Sequence, residues 1–239
     1  MQKRFVMKFP LFILAYLFFL FFPVFAHGQD VVLPTASPLM EIQEDGEMVE
    51  MVEYSGSGPV ISKFQARAEN YLGYIPYYEW RFYMAGKENE PYLIRYDEQV
   101  DYTFKTSGTT FVQLYITFVN GTDTVEYEMD EPFSVTISES KLELPNAFSP
   151  NGDGQNDIYK VKEGYQSIIS FHAYIYNRWG KRLYEWTDID GGWDGKYNGT
   201  DVKEGTYFCL VKAVGADGRK YEIKRDVNLL RGFQQNAAK

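Results

Sequence analysis

From Val60 onward, apolar and polar residues alternate with a period of two, the repeat of a strand with one buried face. Val60, Ser62, Phe64 and Ala66 show it first. Tyr77 to Tyr83 reads as a strand with an apolar face, and Tyr102 to Phe104 as a short one. Thr110 to Val119 is rich in β-branched and aromatic residues, and Asn120-Gly121 marks a tight turn into Thr124–Met129. Phe133 to Ser138 closes this set. A second set follows. Ile168 to Asn177 is apolar on both alternating faces, which predicts a central strand. Trp179-Gly180 turns into Arg182–Trp186, Thr206 to Ala213 is a strong strand, and Tyr221 to Leu230 is the last. Asn198-Gly199 and Asp217-Gly218 are hairpin signals. No stretch after residue 28 keeps a helical period. Short strands with turn signals between them predict an all-β chain of two consecutive antiparallel sandwiches.

The N-terminal region has a different pattern. Lys3, Arg4 and Lys8 precede an uncharged run from Leu11 to Ala26, and small residues follow at Ala26 and Gly28. This is the layout of a secretory signal peptide. The run is shorter than the about 20 residues a membrane span needs, and Pro23 interrupts it. Val31 to Ser37 reads as a linker. Glu41 to Glu53 is acidic, and its alternation at Met48, Glu50 and Val52 fits an edge strand. Ser55-Gly56-Ser57-Gly58-Pro59 is a loop. The predicted order is a signal peptide at 1–28, a linker with an edge strand at 29–54, one sandwich at 55–140, a second at 141–231, and a tail at 232–239.

Charge supports the division. Residues 29–140 carry 6 Lys/Arg and 20 Asp/Glu, so 6 − 20 = −14, whereas residues 141–239 carry 15 and 13, so 15 − 13 = +2. A step of this size predicts two domains with different surfaces. The acidic half argues against nucleic acid, whose phosphates need basic patches. Cys209 is the only cysteine, so no intramolecular disulfide forms. The fold must rest on its core, which 18 Phe, 20 Tyr and 4 Trp across the full sequence are suited to supply.

Catalytic chemistry finds little support. After residue 28 there is a single histidine, His172, inside an apolar strand, and Cys209 lies between Phe208 and Leu210. Both read as strand residues, and no phosphate loop, zinc spacing or dinucleotide fingerprint appears. The expectation is a non-enzymatic protein. One segment carries ligand chemistry. Asn151, Asp153 and Asp157 place oxygens around Gly154, as a Ca²⁺ loop does. Aligned to such a loop, the first position is Ser149 and the twelfth is Lys160, where a bidentate Glu belongs. Two readings stand: a weak Ca²⁺ site, and an Asx/Gly turn that shapes the entry to the second sandwich. The turn is the reading taken, with no cofactor required. Asn120-Gly-Thr and Asn198-Gly-Thr match the glycosylation pattern but read as hairpin turns. Tyr71, Tyr74, Tyr77 and Tyr78 cluster around Pro76, and exposed tyrosines can stack on a surface glycan or dock a protein.

Several motifs in the second half occur together. They are Pro145-Asn146-Ala147-Phe148-Ser149-Pro150-Asn151-Gly152-Asp153-Gly154-Gln155-Asn156-Asp157, then Asn177-Arg178-Trp179-Gly180, then Gly192-Trp193-Asp194-Gly195 and Gly205-Thr206-Tyr207. Arg225-Asp226-Val227-Asn228-Leu229-Leu230-Arg231 follows. In this order and spacing, residues 141–231 resemble the gliding motility-associated C-terminal domain, the type B sorting domain of the type IX secretion system. The resemblance implies an immunoglobulin-like sandwich read by the outer-membrane translocon and its shuttle proteins, and a secreted product at the cell surface or outer membrane. Residues 55–138 resemble a PKD-like immunoglobulin-type domain through Tyr78-Glu79-Trp80-Arg81-Phe82, Ser107-Gly108, Val112 to Thr117 and Asn120-Gly121. Arg81, Phe82 and Tyr83 stand where that family has Asp-Phe-Gly. Two functions follow from these resemblances: a surface-delivered protein with an adhesive or binding cargo domain, or an accessory component of the export or gliding apparatus that binds outer-membrane translocon proteins. Location separates them.

Overall fold

The computed structural model describes residues 32–232. The expected signal peptide at 1–28, and residues 233–239 of the expected tail, lie outside the described residues. The described residues form strands, turns and irregular segments, with no helix among them.

The first half is two packed sheets. One contains β1 (Leu39–Glu44), β2 (Glu47–Glu50), β4 (Val60–Gln65) and β7 (Gln99–Phe104), in the order β2-β1-β4-β7. The other contains β3 (Glu53–Gly56), β5 (Ile75–Met84), β6 (Leu93–Arg95), β8 (Gly108–Asn120) and β10 (Phe133–Ile137), in the order β3-β10-β8-β5-β6. A further strand, β9 (Asp123–Glu128), pairs with the distal half of β8. Alternation decides the faces. Thr110, Val112, Leu114, Ile116 and Phe118 of β8 are buried, as are Trp80 and Phe82 of β5. Phe64 of β4 lies at the centre, with ring centroids 5.7 Å from Trp80, 5.5 Å from Phe82 and 6.0 Å from Phe133. Each such buried ring stabilises the fold by about 1.5–3 kcal/mol relative to exposure.

Residues 39–44 lie in the segment expected as a linker with an edge strand at 29–54, and they form a strand of the first core. Met40 and Ile42 are fully buried, and β1 is an inner strand paired with both β2 and β4. Acidic neighbours hide its alternation in the sequence, because Glu41 and Glu44 flank the two apolar residues. Gln65 on β4 donates to Glu41 at 3.3 Å. The expected edge strand is present as β2.

The second half is built on one five-stranded sheet. Its strands are β11 (Ala147–Phe148), β12 (Ile168–Tyr176), β13 (Arg182–Trp186), β14 (Gly205–Gly215) and β15 (Lys220–Leu229), in the order β11-β15-β14-β12-β13. The opposite layer is mostly irregular chain. It contains the isolated bridges Lys141–Gln166 and Tyr159–Trp193 and the short pair Lys196–Tyr197 with Thr200–Asp201. These segments still bury Leu142, Leu144, Tyr159, Val161 and Trp193 against the sheet. The strand predicted as central, β12, is an inner strand between β13 and β14, but only one of its faces is buried. Only Phe171, Ala173 and Ile175 of β12 are buried. His172, Tyr174 and Tyr176 face outward, where amphipathic rings keep their polar atoms in contact with water.

Each half also carries a parallel pair at a sheet edge, in an otherwise antiparallel fold. These are β3 with β10 and β11 with β15. Between the halves lies a hydrogen-bonded serine group. Ser167 N–H donates to Ser57 Oγ at 2.7 Å, Gly58 N–H donates to Ser167 Oγ at 3.1 Å, and the hydroxyls of Ser138 and Ser167 are 2.8 Å apart. Ala216, at the β14–β15 turn, packs into the first core, and its carbonyl accepts from Ser107 N–H at 3.0 Å.

Candidate recognition surface of the C-terminal domain

The motif residues of the second half mostly hold irregular chain in place. Phe148 packs its ring 5.3 Å from Trp193 and 5.7 Å from Tyr159. The Asn146 carbonyl accepts from Asn228 N–H at 2.9 Å, and the Pro145 carbonyl from the Tyr159 hydroxyl at 3.0 Å. Trp193 is fully buried. Its indole N–H donates to the Lys196 carbonyl at 2.8 Å, and its ring meets Tyr207 edge-on at 5.2 Å. The glycines beside it answer to space and to backbone angle. A Cβ on Gly192 would lie 2.6 Å from both the Ile158 side chain and the Tyr159 carbonyl oxygen, and Gly195 has φ +77° beside Pro150 and Leu229. Asp194 Oδ1 accepts from Lys196 N–H at 3.0 Å. Arg231 closes this group. Its guanidinium donates to the carbonyls of Gly195, at 3.0 Å, and Val202, and its backbone N–H donates to Glu204 at 2.5 Å.

The Asn151–Asp157 loop is closed by its own backbone. Asp157 accepts from the N–H groups of Asn151 at 2.9 Å, Gly152 at 2.7 Å and Gly154 at 2.8 Å. Asn151 Oδ1 accepts from Asp153 N–H at 3.0 Å, and Asp153 Oδ1 from Gln155 N–H at 2.8 Å. Asn156 has a positive φ of 53°. The amides of Gly152 and Gly154 hold the Asp157 carboxyl below the usual carboxylate range, because they favour the charged form. The oxygens of Asn151, Asp153 and Asp157 thus accept from N–H groups of the loop itself.

The Asn177–Gly180 turn has two parts. Asn177 is structural: Oδ1 accepts from Trp179 N–H at 3.0 Å and from Lys181 N–H at 2.9 Å. Trp179 projects outward, 76% exposed, with the Arg178 guanidinium 4.4 Å from its ring centroid. Lys181 lies 4.5 Å over the Tyr197 ring, and Phe208 is 42% exposed nearby. Arg178, Trp179, Tyr197, Lys203 and Phe208 line an open groove of about 510 Å³. Exposed aromatics with stacked cations are the residue types that carry energy in protein interfaces. The sequence had marked Trp179 and Arg178 as motif residues, while Phe208 was missed. Its signal was parity, since a strand that buries Cys209 turns Phe208 to solvent.

His172 and Cys209 lie apart by face. Cys209 is 2% exposed, and burial pushes its thiol up to about 12, so it stays protonated at neutral pH. His172 stacks on Tyr174 at 4.2 Å on the outer face, with Nε2 3.6 Å from Glu185.

The second half is thus a β-sheet module whose motif residues brace irregular chain and which displays Trp179 with a cation stacked on it. Residues 142–227 match the family model of the CHU_C type IX secretion signal domain. The C-terminal part of the chain is thus similar to a type IX secretion signal, and such a signal implies interaction with that secretion machinery and export to the cell surface or beyond. No curated protein matches the chain. A crystal structure of dimeric latent PorU from Porphyromonas gingivalis is similar over 84% of this chain at 11% identity, with a TM-score of 0.26. The chain spans 20% of that structure's length.

Proposed function

We propose that this is a non-enzymatic surface protein, in which the second sandwich is the export address and the acidic, PKD-like first sandwich is an adhesive or binding cargo domain. The matched signal over 142–227 carries the reading. The first half supports the rest, because it has its own two-sheet core with Trp80 and Phe64 at the centre. The outer-membrane translocon and shuttle proteins dock at the groove beside Trp179, the most exposed tryptophan among the described residues. The Asn151–Asp157 loop shapes the entry to the domain and needs no ion.

The test uses a host with this secretion system. Deleting residues 141–239 should leave the protein in the periplasm, and residues 141–239 fused to a signal peptide and a fluorescent reporter should bring the reporter to the surface. Surface display of the truncated protein, or a fusion retained while native cargo still exports, overturns the reading. Stable co-purification with the translocon, without release to the surface or medium, would favour the accessory-component function instead.

A further inference from the structure

Export leaves one large surface unexplained, the outer face of the sheet β6-β5-β8-β9. On β5 the buried Trp80 and Phe82 alternate with Tyr77, Glu79 and Arg81, so these three face solvent. On β8 the same parity turns Tyr115 and Thr117 outward. Register sets them in rows. Tyr77 lies opposite Thr117, which lies opposite Glu126, and Glu79 lies opposite Tyr115, which lies opposite Glu128. Tyr96, just past β6, completes an open groove of about 680 Å³. Tyr77 is 58% exposed and Tyr96 66% exposed. Arg81 lies 4.3 Å over the Tyr115 ring and pairs with Glu79 at 2.5 Å.

We infer that this face binds a neutral glycan chain. The inference rests on the reading of the first sandwich as binding cargo and names its ligand class. The exposed rings of Tyr77 and Tyr96, on or beside paired strands, offer apolar planes for the C–H faces of sugar rings, and few rotamers are lost on binding. Glu79, Glu126 and Glu128 accept hydrogen bonds from hydroxyl groups, and Arg81 donates them. Three carboxylates and one guanidinium, on the half whose formal charge is 6 − 20 = −14, repel polyanions. A basic peptide fits less well. Arg81 already occupies the ring face of Tyr115 and opposes a second cation there.

The experiment is affinity electrophoresis of the mature full-length protein through gels holding xyloglucan, a β-1,3-glucan or a mannan, with alginate as an anionic probe. Poly-lysine binding is measured alongside. At least one neutral polysaccharide should retard the protein. Tyr77→Ala and Tyr96→Ala should each weaken that retardation about tenfold. Tyr77→Phe, which keeps the ring, should retain most of it, and Tyr71→Ala, outside the face, should retain all of it. The Phe variant separates lost stacking from lost folding. Absence of retardation by every neutral polysaccharide overturns the inference, as does full binding by the Tyr77→Ala/Tyr96→Ala double variant or a preference for alginate or poly-lysine. Export is scored separately by reporter location, so a failed address and a failed glycan site give different results.

Discussion

In the first sandwich, Phe64 touches the rings of Trp80, Phe82, Phe104 and Phe133 between two hydrogen-bonded sheets. In the second, Trp193 packs against Phe148 and Tyr207 beside irregular chain, and hydrogen bonds accepted by Asp157 and Asn177 and donated by Arg231 hold its loops. One half therefore depends on summed apolar contact, which many side chains can supply. The other depends on particular polar atoms at particular places, for which few substitutes exist. A domain that must be read by a machine gains from the second arrangement, because its loops then present one shape.

The largest expected effects test whether the two halves fail separately. Trp80→Ala and Trp193→Ala should each cost about 3–5 kcal/mol of stability, as large core truncations do. Limited proteolysis should then digest 39–137 first in the Trp80 variant, with a fragment covering 142–229 surviving. In the Trp193 variant, export of the reporter fusion should fail. Simultaneous loss of both halves on truncating Trp80 would show that the serine group around Ser167 and the buried Ala216 fuse them into one cooperative unit. Gly192→Ala comes next, at about 1–3 kcal/mol, because the added methyl meets the Tyr159 carbonyl oxygen at 2.6 Å. Thermal unfolding would read it, and an unchanged melting temperature would mean that the Ile158–Tyr159 segment yields.

Acid should affect the second half more than the first. Asp157 and Asp217 are both held below the usual carboxylate range. Backbone amides of Gly152 and Gly154 act on the first, and the Ser140 hydroxyl and the Arg219 amide act on the second. A depressed carboxylate adds stability that is present above its unfolded value and lost as pH falls through the lower folded value. Melting temperature should therefore drop as pH falls below the unfolded reference of 3.8, and the drop should flatten in Asp157→Asn and Asp217→Asn. Trp179→Ala separates display from stability. It should change folding by less than about 0.5 kcal/mol, as exposed substitutions do, yet reduce surface export of the reporter fusion. Millimolar Ca²⁺ should have the smallest effect. No measurable shift in melting temperature is expected, and a rise of several degrees that Asp153→Ala abolishes would restore the cation-site reading of the loop.

The contrast also explains what could be read in advance. Strands such as Thr110–Val119 and Thr206–Ala213 were legible because alternation and β-branched residues report a pleated, half-buried surface directly. Strand β1 was not, because Glu41 and Glu44 make Met40 and Ile42 look like part of an acidic linker. That only one face of β12 is buried was not legible either. Tyr and His on β12 count as apolar in a pattern but sit at the surface of a sheet. Motif residues of the second half stood out because loops without a regular ladder need specific side chains. That Asp157 accepts from the backbone amides of Gly152 and Gly154 was not legible in the sequence, since a turn and a cation site call for the same carboxylate. The outer-face rows of Tyr77, Glu79 and Tyr115 needed the register between strands, which no local pattern contains.

The two parallel edge pairs have a mechanical meaning. In each half an early strand runs beside the last one, β3 with β10 over four residues and β11 with β15 over two. Tension applied at Glu53 and Ile137, or at Ala147 and Leu229, drags the paired strands past each other, so that every bond between them is loaded at once. An antiparallel hairpin under tension opens one bond at a time. Single-molecule stretching with handles at these positions should therefore show the second half, with the shorter pair, giving way at lower force than the first.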